Sequence, residues 1–82
     1  MTNYQRQKID IELKAFVSSH LKKPSSCYRS SDIRLYINAL TQKIQALEEL
    51  FNYAPDWAYA MLAEYAMKLN TFVSKEFTRS YQ

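Results

Sequence analysis

Residues 31–52, SDIRLYINALTQKIQALEELFN, place Ile33, Ile37, Leu40, Ile44, Leu47 and Phe51 at alternating steps of four and three. At 100° per residue these six side chains fall within about 40° of one line, so the segment reads as a helix of about five turns with a single apolar seam. A strict 4-3 seam packs best against a near-antiparallel neighbour at a shallow crossing angle. Ser30 or Ser31 is the expected N-cap, with Asp32 near the positive end of the helix dipole.

The flanking segments supply two such neighbours. Upstream, Ile9, Leu13, Phe16, Val17 and Leu21 follow helical spacing over about residues 3–22, and Thr2 with Gln5 three positions on has the form of a capping box. Downstream, Ala58, Met61, Leu62, Tyr65, Leu69, Phe72 and Val73 mark the core face of a third helix over about residues 55–78. Glu64, Lys68 and Lys75 fall on its water side. Pro55 suits a first-turn position, where its missing N–H costs nothing, with Asp56 near the dipole's positive end. The stretch KKPSSCYRSS (22–31) separates the first two helices, because Pro24 disfavours helical geometry at Lys23 and serines offer competing hydrogen bonds to the backbone.

There is no glycine in the 82 residues, and the two prolines fall between the periodic segments. Hairpin turns, phosphate-cradling loops and most helix C-caps draw on glycine for positive φ, so architectures built on them are disfavoured. The expected fold is all-α, a single domain over residues 1–82 formed as a three-helix bundle. With 48% hydrophobic and 15% aromatic residues the chain is too apolar for disorder. Its size is near the minimum for one self-sufficient core, which a dimer interface would relieve.

The longest apolar run, Trp57–Ala63, is far shorter than the roughly 18 residues of a membrane span. MTNYQRQKID (1–10) carries no hydrophobic signal segment, and Cys27 is the only cysteine, so a cytoplasmic location is expected. Residues 1–43 hold eight basic and three acidic side chains, against three and five in residues 44–82. Lys22, Lys23, Arg29 and Arg34 bracket the first loop, where Tyr28 offers a ring to a nucleic-acid base and phosphate is a natural anion. That loop is too long for a helix-turn-helix, and the helix after NYAPD (52–56) presents no basic or amide side chain to a groove. Nucleic-acid binding through this basic loop is therefore the second of two functional expectations.

The first arises from a second stripe on each of two helices. Leu35, Ala39, Ala46 and Leu50 lie roughly opposite the main seam, interrupted by Gln42, and Ala60, Ala63, Met67 and Ser74 form a stripe separate from both the core and the charged face. Alanine is a good helix former and commonly faces water. Two stripes of small, adaptable or leucine side chains nevertheless favour an interface, with methionine fitting an irregular partner surface. The chain is expected to be a non-catalytic interaction or regulatory module that forms a homodimer through its second and third helices.

Catalytic chemistry is not expected. His20 is the single histidine, placed on the apolar face near the end of the first helix, with no second histidine to complete a metal site. A pair with Cys27 would lack an orienting third group. Glu48 and Glu49 point about 100° apart, and Asp10 and Glu12 do not share a helix face. Trp57, Tyr59, Tyr65 and Phe72 read as core and core-edge packing, Trp57 covering one end of the bundle, rather than as a cofactor box. No cofactor, metal or membrane is expected.

Overall fold

The computed structural model describes residues 2–80 and shows the expected all-α, three-helix bundle: α1 (Asn3–His20), α2 (Ser30–Phe51) and α3 (Asp56–Ser80), with a short 3-10 turn at Pro24–Ser26. The Thr2–Gln5 capping box is formed. Gln5 N–H donates to Thr2 Oγ1 at 3.2 Å, and Thr2 N–H donates to Gln5 Oε1 at 3.1 Å. α1 ends at His20, two residues early, because Leu21 is already extended ahead of the Lys22–Lys23–Pro24 stretch.

Two boundaries differ from expectation. The N-cap of α2 is Arg29, without a side-chain cap, and Ser30 is already the first helical residue. Pro55 lies just before α3 rather than in its first turn, its carbonyl accepting from Ala58 N–H at 3.1 Å. Between them Asn52 closes α2 in the left-handed conformation, φ 52°, with its N–H on the Glu48 carbonyl at 2.8 Å. A chain without glycine meets this C-cap with asparagine, whose short polar side chain tolerates positive φ better than other non-glycine residues.

The helices run up, down and up. Arg6 on α1 sits over the Tyr53 ring at the α2–α3 turn, Lys43 on α2 sits over Phe16 on α1, and the hydroxyl of Tyr65 on α3 donates to the Lys22 carbonyl just beyond α1. Leu13, Cys27, Ile33, Leu40, Ile44, Ala54, Ala58 and Tyr65 form the buried cluster, lined by half-buried Phe16, Ile37, Leu47, Trp57, Leu62 and Phe72 among others. Both principal seams are thus spent on one core. Two of their end members stay exposed, Phe51 at 46% and Val73 at 37%. Tyr36 and Tyr65 pack at 5.9 Å, so at 1.5 Å per residue Val73 has already passed the level of Ser30, the first residue of α2. Phe51, on the last turn of α2, is flanked mainly by the first turns of α1 across a depression of about 220 Å³ lined by Gln5, Lys8, Ile9 and Glu12.

The bundle is long and thin, 56 × 21 × 15 Å. Its radius of gyration is 15.0 Å, against about 12 Å for a compact domain of this length.

α1 is tied to the start of α3 by a polar link as well as by packing. Trp57 Nε1–H donates to Asp10 Oδ1, and Lys14 Nζ lies 3.2 Å from Asp10 Oδ2 and 5.8 Å from the Trp57 ring centroid. Trp57 is half-buried against the middle of α1, with its indole N–H satisfied. The indole hydrogen bond, opposed by partial desolvation and assisted by Lys14, holds the Asp10 carboxyl below the usual carboxylate range. A depressed folded-state value stabilises the fold above the ordinary pKa of 3.8 and stops doing so as pH falls through the folded value. Asp10→Asn is therefore expected to remove part of the acid-induced loss of stability below pH 3.8, read as a flatter melting temperature against pH. An acid limb identical to that of the wild type would show that Asp10 is not among the groups responsible.

Candidate functional site

Each stripe singled out from the sequence is solvent-facing. On α3, Ala60, Ala63, Met67 and Ser74 are exposed, and on α2 Leu35, Ala46 and Leu50 are exposed with Ala39 half-buried. They do not make one surface. On α3 the stripe points about 180° from the core face, and on α2 about 130° from it, while the two core faces meet between the helices. The stripes consequently face away from each other, and no single flat partner covers both.

The α3 face is the more coherent of the two. From Tyr59 to Ser74 it is built from Tyr59, Ala60, Ala63, Ala66, Met67, Asn70, Val73 and Ser74, with no charged side chain on that face. Met67, 72% exposed, stands as a ridge between two shallow depressions. One, of about 450 Å³, is lined by Ala66, Met67, Leu69, Asn70 and Val73, all uncharged. The other, of about 430 Å³, has Glu64, Lys68 and Lys75 on its rim beside Thr71 and Phe72. The α2 stripe is broken by Gln42 and adjoins Asp32 and Lys43 on the helical wheel, and Lys43 leans over Phe16 of α1.

The basic residues occupy the opposite kind of environment, at the loop end of the bundle. Lys22, Lys23, Arg29 and Tyr28 are exposed. The fold adds a residue that sequence reasoning had assigned only to the water side of α3: Lys68, whose Nζ is 6.0 Å from the Tyr28 ring centroid and equally far from that of Phe72. Spacing within one helix carried no signal for this, because the approach is made across the bundle. Arg34 is exposed on α2 and joins none of these groups in a ring contact or ion pair among the described residues.

His20 and Cys27 are not brought together as a catalytic pair. His20, at the end of the apolar face of α1, is exposed, with its ring 5.1 Å from that of Phe16 one turn earlier. The apolar stripe of α1 turns inward through Leu13, Phe16 and Val17, leaving His20 at the helix end beyond its reach. Cys27 is buried and donates to the Lys23 carbonyl at 3.4 Å. Burial pushes its thiol above the ordinary value, which favours the unreactive protonated form. Among the described residues no group of histidine, cysteine and acidic side chains gathers as a metal ion would require, and no helix is long and apolar enough to cross a membrane.

No family model matches the chain, no curated protein matches it, and no solved structure matches it.

Proposed function

We propose that the protein is a non-catalytic helical interaction module of regulatory type that self-associates through the outer face of α3. The observation that carries this reading is surface left over after folding. The chain exposes 6196 Å², whereas a compact monomer of its 9.7 kDa exposes about 5,100 Å². That excess belongs to the whole elongated chain, and the part of it that points to a partner is the outer face of α3 around Met67, which is 72% exposed.

A second copy suits this face better than an arbitrary partner. The face is uncharged, so two copies meet without like-charge repulsion, and its small side chains let helix backbones approach closely. A two-fold axis near Met67 sets Ala60 and Ala63 of one copy against the turn from Asn70 to Ser74 of the other, and Met67 of each beside the depression flanking its counterpart. The leucines of α2 lie outside such an interface.

Met67→Glu is expected to convert a dimer into a monomer by placing an unpaired charge at the axis, with the helical circular-dichroism signal retained. Ala46→Glu, on the α2 stripe, is expected to leave the dimer intact. Light scattering at high micromolar concentration reads both. A wild type that is monomeric there rejects self-association, and an Ala46→Glu variant as disruptive as Met67→Glu moves the interface to α2.

A further inference from the structure

We propose that the loop end of the bundle binds single-stranded nucleic acid, with Tyr28 as the surface on which a base stacks and Lys22, Lys23, Arg29 and Lys68 as the cations that hold the neighbouring phosphates. Tyr28 is 80% exposed, although the residue before it, Cys27, is fully buried. An aromatic ring held in water by an ordered backbone gains nothing for the core, and it presents a flat face to a ligand ring. Lys68 approaches that ring from α3 at 6.0 Å, and Lys22 and Lys68 both lie near enough to the Cys27 thiol to oppose the rise in its pKa. Among the described residues none of the four cations is held in an ion pair. Asp32 and Glu64 are the acidic groups that act on Cys27 and Tyr65 at this end, and four cations outweigh them.

The loop that carries these side chains is fastened from beneath. The Tyr65 hydroxyl donates to the Lys22 carbonyl and Cys27 Sγ–H to the Lys23 carbonyl. Ser26 N–H also bonds to the Lys23 carbonyl at 2.9 Å, and Cys27 N–H to the Pro24 carbonyl at 3.2 Å. These five backbone groups are used internally while side chains 22, 23, 28 and 29 are exposed, so little loop entropy is lost when a ligand arrives. A duplex is disfavoured, because its bases are already stacked and no basic helix face is available to enter a groove. A phosphopeptide or an anionic lipid surface satisfies the cations equally well but has no base for Tyr28.

The test is fluorescence anisotropy of a labelled oligothymidylate of about 12 nucleotides titrated with the full chain at about 50 and 200 mM salt. Three or four phosphate contacts predict a slope of log affinity against log salt of about −2 to −3, and binding that is sequence-tolerant and weak at physiological salt. Tyr28→Ala is expected to weaken binding about tenfold at either salt concentration without altering the slope, whereas Lys22→Gln with Lys23→Gln flattens the slope by about 1.4. All three side chains are exposed, so the variants are expected to keep the wild-type helical circular-dichroism signal, which is to be recorded alongside. Wild-type affinity in Tyr28→Ala, with inorganic polyphosphate competing as well as the oligonucleotide, would leave a plain polyanion site and overturn the proposal. So would tighter binding to anionic vesicles or a phosphopeptide, or no binding at about 50 mM salt.

Discussion

Leu40→Ala is expected to lower the free energy of unfolding by about 2–5 kcal/mol, a large share of the roughly 5–15 kcal/mol that holds a typical domain together. Leu40 is completely buried at the middle of the α2 seam, between Ile33 and Ile44, and belongs to the cluster shared with Leu13, Ala58 and Tyr65. Removing three carbons there forfeits their transfer energy and opens a cavity that a thin bundle fills only by drawing its helices together. Because few side chains are fully buried, none of the others can substitute for it. Urea unfolding with a matched slope measures the loss. A cost below about 1 kcal/mol, the level of an exposed site, would mean that the seam does not form the core.

Alkaline solution is expected to destabilise the protein through Tyr65 by about 2–3 kcal/mol between pH 10 and pH 12. Burial, aided by the nearby Cys27, Tyr36 and Glu64, pushes the Tyr65 phenol from its ordinary 10.0 up to about 12. The unfolded chain therefore loses this proton first. The stabilising contribution is complete below pH 10 and disappears as pH climbs to the folded value, two units corresponding to about 3 kcal/mol. Cys27, raised from 9.0 chiefly by burial, acts in the same direction. Tyr65→Phe removes the titrating proton and leaves the Lys22 carbonyl without its donor, so it should cost about 1 kcal/mol at neutral pH yet show a shallower alkaline limb. An alkaline limb as steep in Tyr65→Phe as in the wild type would assign the effect to other groups.

The two functional readings answer to separate measurements because they use different parts of the surface. Met67 lies on the outer face of α3, and Tyr28 lies at the loop end of the bundle. A dimer formed through Met67 brings the two basic ends near the axis, because Lys68 next to Met67 reaches Tyr28 and Tyr65 reaches the Lys22 carbonyl, and one single strand spanning both ends would gain avidity.

Periodicity was sufficient for the helices. The 4-3 spacing from Ile33 to Phe51 and the punctuation at Pro24 and Pro55 fixed three segments and their inward faces, since a helix repeats every 3.6 residues whatever it packs against. Thr2 and Gln5 likewise declared their capping box, because its partners are three residues apart. The boundaries at Arg29 and Pro55 shifted by a residue or so because competing caps there differ little in energy. What periodicity does not contain is the direction each face takes relative to another helix. That Leu35 and Ala63 look away from one another, that Phe51 and Val73 remain wet at the ends of their seams, and that Lys68 crosses to Tyr28 were decided only by the tertiary arrangement. The reason is physical: local spacing sets angles about one helix axis, whereas the offset and orientation between axes come from side-chain packing across the core, which involves residues far apart in the chain.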